Sequence, residues 1–295
     1  MLSARVVTGA RTTIRDALRG ASGEAIKSYA FVERGWYLTK RYWAWEMVWV
    51  TYNIINALSV TFIAASAQNT IPSIHITQAQ INQFILYLTI GTAVWTFVSV
   101  VFDNVTETVT MERWEGTIEY TFMAPVSRMT HMFGACLFAL LHGFLLTAVQ
   151  LFVVGAFFHL DLSHANWGAV VVLMALGSIS LIGLGTVSAI LPMLFTERGA
   201  QMAYIIRAIM LLVSGVYYPI TVLPGWLQAV SKITPTTYML EGLRGSIQQG
   251  YGLGKLAGDV WPMLLCGVIA VPLGLVIFNQ AERYAKRTGK LKRNG

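Results

Sequence analysis

Four glutamates and two arginines crowd one polar stretch of an otherwise apolar chain. Glu107, Glu112, Glu115 and Glu119 lie with Arg113 and Arg128 between residues 105 and 130. The chemistry these groups offer is ionic recognition rather than bond-making. Spacings of three and four residues put Glu112, Glu115 and Glu119 on one face of a helix. Thr110 stands where it could cap that helix, Arg113 falls in its first turn, and Pro125 would end it. The reading is an amphipathic helix between two membrane spans that presents its carboxylates to a soluble partner. The alternative is a solvated loop with a few helical turns.

Other reactive patterns do not form. No Gly-x-x-x-x-Gly-Lys-Ser/Thr loop occurs, and Gly250-Tyr-Gly-Leu-Gly-Lys255 lacks both the spacing and the hydroxyl residue, so the chain is not expected to hold ATP itself. His131 and His142 share a helix face but would stand about 16 Å apart, too far to share a metal. Ser178, Ser180 and Ser188 have no nucleophile elbow around them. Cys136 and Cys266 fall in apolar runs and make no disulfide framework. No catalytic residue and no metal site are therefore assigned. Arg207, a few residues into an apolar run, could contact an anionic substrate or simply snorkel to the inner surface, and snorkelling is the favoured reading.

The elements that must position these groups are membrane spans. Of 295 residues 55% are hydrophobic and 12% charged, with mean hydropathy +0.59, whereas soluble domains carry roughly 25% charge. Long apolar runs rather than ten-residue alternation exclude a barrel. The expected fold is an all-α polytopic membrane protein with six transmembrane helices, near residues 46–67, 82–103, 132–159, 167–195, 202–218 and 260–280. Glycines and serines of the fourth span would allow close helix contact, and Pro192 would kink its end. Residues 1–45 form a basic cytoplasmic segment whose aromatic-rich part, 31–46, reads as an interfacial helix. Residues 46–280 form the transmembrane domain and 281–295 a basic cytoplasmic tail. Of the 21 Lys and Arg residues only Lys232, Arg244 and Lys255 fall between spans five and six, and the others fall on the side of the two termini. The positive-inside rule then places both termini in the cytoplasm. The basic balance suits membrane lipids, not nucleic acid. No secretory signal is expected, and the Arg-rich first 20 residues could also imitate a mitochondrial transit peptide.

Between spans five and six, Pro219, Pro224 and Pro235 cut residues 219–258 into apolar pieces too short to span. Such backbone must be covered by protein or line a cavity. A re-entrant helical hairpin at the outer face is expected, with Glu241 and Arg244 paired at i, i+3.

Two of these stretches resemble a known family. Ser214-Gly-Val-Tyr-Tyr-Pro-Ile-Thr-Val-Leu-Pro-Gly-Trp-Leu-Gln, Ile233-Thr-Pro-Thr-Thr-Tyr and Glu241-Gly-Leu-Arg244 resemble the carboxy-terminal signature of ABC-2 type exporter permeases. Glu112-Arg-Trp-Glu-Gly-Thr-Ile-Glu119 with Ala124-Pro-Val-Ser-Arg128 resembles that family's cytoplasmic segment after span two, closest to the daunorubicin-resistance and nodulation-export type. The resemblance implies a dimer of six-span subunits, as homodimer or heterodimer, in the cytoplasmic membrane of a prokaryote. It implies two copies of a separate ABC ATP-binding subunit, which carry ATP and magnesium. Glu112, Arg113, Glu115, Gly116, Glu119, Pro125 and Arg128 would then form the coupling helix and its return. Tyr217, Tyr218, Pro219, Pro224, Trp226, Pro235, Glu241 and Arg244 would belong to the outer hairpin that helps close the external end. The implied function is export of a hydrophobic or amphipathic molecule: drug-like, a lipid or a lipid-linked glycan. A polysaccharide permease and, from another class, an intramembrane transferase are the rivals. The long Arg-rich extension before span one departs from the family pattern.

Overall fold

The structure, a computed structural model, describes residues 23, 24, 26–70, 77–117, 120, 123, 128–195 and 198–288. Residues 1–22, the loop positions 71–76, Glu119, Pro125 and the tail from 289 onward lie outside the described residues, as do the side chains of Arg113 and Arg128.

Helix α1 covers 26–41. It is followed by α2 Trp43–Thr70, α3 Gln78–Trp114, α4 Arg128–Phe157, α5 Trp167–Ser188, α6 Ile190–Leu194 and α7 Gly199–Val213. A 3-10 turn, Ile220–Val222, leads to α8 Gly225–Ser231, α9 Pro235–Gln248 and α10 Ala257–Arg287. Among the described residues five helical stretches are long and apolar enough to cross a membrane: α2, α3, α4, α5 continued by α6, and α10. They match expected spans one to four and six.

The expected fifth span is shorter than the apolar run suggested. Helix α7 has 15 residues, about 22 Å at 1.5 Å per residue, against a hydrocarbon core of about 30 Å. It stops because Gly215 turns left-handed, φ +74°, and Pro219 follows. The chain then folds back through α8 and α9. The Ser214 and Thr236 hydroxyls bond to each other, so α9 begins at the level where α7 ends. Helix α9 runs on until the Ser246 carbonyl accepts the Asn166 N–H beside the loop before α5. Two short helices, α8 and α9, therefore lie between α7 and α10, with Pro235 at the first position of α9, where its missing N–H costs nothing.

Helix α3 is the axis of the packing and the most buried of the crossings, whereas α2 and α10 are the least. Its Ile90, Phe97, Val101 and Phe102 meet Leu173 and Leu181 of α5, Met239, Leu240 and Leu243 of α9 and Met263 of α10 in one core. The small residues of the fourth span act as expected. A Cβ on Gly183 would lie 2.6 Å from the Ala270 Cβ, so α5 and α10 touch backbone to backbone. Ser180 Oγ donates to the Met263 carbonyl of α10 at 2.7 Å, and Ser178 Oγ to the Ala175 carbonyl of its own helix at 2.7 Å. The kink near Pro192 is also there: α5 ends at Ser188 and α6 begins at Ile190, because Pro192 has no N–H for the Ser188 carbonyl.

Candidate docking site

The charged segment after the second apolar run takes another form than the spacing implied. No separate helix starts at Thr110. Helix α3 continues unbroken to Trp114, with Thr110 inside it. Backbone hydrogen bonding does not need apolar residues, so the helix outruns its apolar stretch. It ends where Gly116 adopts φ +70° and the Thr117 N–H reaches back to the Glu112 carbonyl at 2.9 Å. This is a Schellman ending, and glycine supplies the left-handed residue it requires. Glu112 therefore sits in the last helical turn while Glu115 sits in the cap. The two do not share a continuous helix face, and Glu119 lies outside the described residues.

What gathers these carboxylates is Arg34 of α1. Its Nη1 donates to Glu112 Oε1 at 3.0 Å, and its Nη2 donates to Glu115 Oε2 and to Thr117 Oγ1, each at 3.0 Å. From the start of α4, His131 Nε2 lies 3.0 Å from the same Glu112 Oε1. Glu112 is 2% exposed. Burial pushes its carboxyl up, but the hydrogen bonds and charges of His131 and then Arg34 outweigh burial and hold it below the usual glutamate value. The Phe31 ring lies tilted against His131, with ring centres 4.7 Å apart. A Cβ on Gly134 would lie 2.7 Å from Phe31 Cβ, and one on Gly35 would lie 2.5 Å from Phe138. Glycine on each side thus lets α1 lie tight against α4. The outward face of α1 carries an open groove of about 410 Å³ lined by Ala30, Glu33, Arg34, Tyr37, Leu38 and Arg41.

The reading of residues 31–46 as an interfacial helix missed Arg34 as the organiser. The two histidines, tested in sequence only as a metal pair, each meet a glutamate instead. His142 Nε2 lies 2.8 Å from Glu46 Oε1 at the start of α2, with the Phe138 ring stacked on it at 5.4 Å. The available signal was a histidine inside an apolar run, which needs a polar partner. Its partner lies 96 residues away in one case, so spacing could not reveal it.

Two further groups of expected site residues have places. Arg207 does not snorkel freely. Its Nη1 bonds the Asp103 carboxylate of α3, its guanidinium lies 4.8 Å from the Tyr204 ring centre, and the Tyr204 hydroxyl donates to Glu107 Oε1 at 3.1 Å. This network joins α7 to α3. In the hairpin Arg244 turns away from Glu241, which is exposed and outside ion-pair reach. Arg244 donates to the Gly215 and Val216 carbonyls at 3.1 and 2.9 Å and lies 3.6 Å over the Tyr87 ring. The carbonyls freed at the end of α7 take up the guanidinium's donors. Tyr217 packs against the central core. The Tyr218 hydroxyl donates to the Leu212 carbonyl at 2.8 Å. Pro219 and Pro224 flank the 3-10 turn, Pro235 is buried, and Trp226 is exposed. Among the described residues no cluster of His, Cys, Asp and Glu is arranged to hold a metal ion.

Residues 29–247 match the family described as ABC-2 type transporter. The inner membrane transport permeases YadH of Escherichia coli strain K12 and of Shigella flexneri are each 23% identical over 220 residues, covering 71% of this chain and 82% of theirs.

Proposed function

The chain belongs to the ABC-2 type transporter family, and from that premise we propose that it is the transmembrane permease subunit of an ATP-driven exporter. In this reading six crossings, with α7 and the α8–α9 hairpin together making up the fifth, lie in the cytoplasmic membrane with both termini inside. Two permease copies pair, and two ATP-binding subunits supply hydrolysis. The cargo is hydrophobic or amphipathic.

The observation that carries the coupling assignment is the Arg34, Glu112, Glu115 and His131 cluster. It ties α1, the end of α3 and the start of α4 into one rigid platform at one end of the bundle. A partner pressing on that platform moves three elements together. Glu115, with Glu119, Pro125 and Arg128 on the return toward α4, is then the surface offered to the ATP-binding subunit.

A glycan cargo is supported by a separate feature. Trp45, Trp49 and Tyr52 are exposed on α2 and stand edge to face at 6.2 and 5.9 Å. Such a ladder can stack sugar rings as well as it can face lipid. Ser178 and Ser180, bonded to carbonyls, lend no support to a transferase.

The test is purification of the tagged chain in mild detergent with mass spectrometry of what accompanies it. A stoichiometric P-loop ATPase that is lost in the Glu115→Lys, Glu119→Lys double variant, at unchanged size-exclusion profile, supports the reading. Recovery of the folded chain with no nucleotide-binding partner across detergents overturns it.

A further inference from the structure

Resting on that permease reading, we infer that Arg244 is a positioning residue that joins α3 to the α8–α9 hairpin, so that displacement of the docking end of α3 reaches the hairpin directly.

The joint has four parts. Gly215 turns left-handed and leaves the Gly215 and Val216 carbonyls without helical donors. Arg244, one turn from the end of α9, supplies both missing donors from one planar group, at 3.1 and 2.9 Å. Two bonds from a rigid fork fix orientation as well as distance, which a lysine cannot do. One face of that fork rests 3.6 Å over the Tyr87 ring of α3. Finally, Gly91 of α3 lets the Val216 carbonyl press against the helix: a Cβ there would lie 2.3 Å from that oxygen and 3.2 Å from Arg244 Nη2. Three chain segments far apart in sequence are thus held at one point, and each of the four residues has a reason to be the type it is.

The other end of the same helix is the docking platform. Helix α3 is continuous from Gln78 to Trp114, so Gly91 and Glu112 are rigidly connected across about 31 Å. Helices transmit displacement along their length, whereas a gate hung on loops would not receive it. Between the two ends, the Asp103–Arg207 and Glu107–Tyr204 bonds hold α7 to the same rod. Helices α3, α7 and α9 are therefore built to move as one body.

The experiment uses the full chain with its co-purified ATP-binding subunit in vesicles. Val222, 71% exposed in the 3-10 turn, is replaced by cysteine in a chain whose Cys136 and Cys266 are serine. Labelling of position 222 by a maleimide is timed without nucleotide and with ATP and vanadate. The unaltered joint is expected to show a nucleotide-dependent change in rate. In Arg244→Leu that change shrinks by about tenfold, within the ordinary range of coupling between two sites, while vanadate trapping on the partner persists. Arg244→Lys should recover part of the response, and Gly91→Ala, which attacks the joint from α3, should reproduce the loss. A nucleotide response that survives in Arg244→Leu, or no response with the joint intact, overturns the inference. Loss of the ATP-binding subunit from both Arg244→Leu and Gly91→Ala also overturns it, since neither residue touches the docking end. Failure of the chain with an intact joint to carry an ATP-binding subunit at all would instead sink the permease reading beneath it.

Discussion

Arg34 Nη1 donates to Glu112 Oε1 at 3.0 Å across 78 residues of chain. The bond fastens a helix that precedes the first crossing to the far end of the second. The same oxygen also receives His131, so a carboxylate that is 2% exposed is held from two elements. A buried charge deprived of its partner is costly. Arg34→Met, which keeps length and removes charge, should therefore cost roughly 2–3 kcal/mol, less than a fully buried pair because the arginine retains solvent access. Glu112→Gln in the Arg34→Met background should return part of the loss. Thermal unfolding of the four chains in one detergent checks this, and strict additivity of the two single effects would show that the pair contributes nothing.

Acid should act on the same carboxylate. Glu112 is held below the ordinary glutamate range in the folded chain. The unfolded chain therefore binds this proton first as pH falls through about 4.3. The stabilisation from Glu112 is complete above that value and is lost as pH falls through the lower folded value. Below about pH 4.3 the intact chain should lose stability toward the variant Glu112→Gln, which lacks this contribution at every pH. Unfolding midpoints at stepped pH provide the test, and curves that stay parallel down to pH 3 count against the assignment.

Gly116 separates backbone strain from packing. At φ +70° a Cβ would meet nothing within 4 Å, so substitution should cost only the left-handed conformation. Gly116→Ala is expected to destabilise by about 1 kcal/mol and Gly116→Asn by less, because asparagine tolerates this region better. A larger loss of stability in Gly116→Ala would mean that the cap touches something beyond its own backbone. Loss of ATPase retention without loss of stability would place the glycine in the partner interface itself.

The apolar runs made the five long crossings legible, and the three prolines made the broken segment after α7 legible, because both are local properties of the chain. The end of α3 was readable only in part. Charge from Asp103 onward suggested that the crossing had stopped, yet the helix runs to Trp114, since amide hydrogen bonds form as well outside lipid as inside it. The stop signal was Gly116, present in the sequence as a glycine after a glutamate but read as part of a helix rather than as its end. Span five was overextended for the opposite reason: the run stays apolar through Tyr218, and the backbone turns at Gly215 regardless. The break of the chain into short pieces after Pro219 was readable, but the partner of Arg244 was not. The i, i+3 spacing offered Glu241, whereas tertiary structure offered two carbonyls and a tyrosine ring. Arg34 and the two histidines were beyond sequence reasoning of this kind, because each finds its glutamate through packing.

The Asp103–Arg207 bond decides between two uses of one arginine. A snorkelling arginine would be independent of Asp103, and its removal would matter little. A paired arginine leaves a carboxylate in a poorly hydrated place when it is removed, and the reverse substitution strands the guanidinium. Both are about 70% withdrawn from solvent, with side-chain exposures of 30% and 28%. Arg207→Ala and Asp103→Ala are each expected to lower stability by about 1–2 kcal/mol, less than a buried pair because both groups keep solvent access, and the double variant by clearly less than their sum, because it removes both uncompensated charges together. Because Tyr204 and Glu107 complete the network from the same two helices, Tyr204→Phe should weaken the α7–α3 contact by about 1 kcal/mol and add little once Arg207 is gone. Unfolding midpoints of this set, measured in one lipid–detergent mixture, separate the two uses: additive effects at 103 and 207 leave Arg207 a surface anchor, and the expected deficit makes it the tie that holds α7 to the rod running from the docking platform.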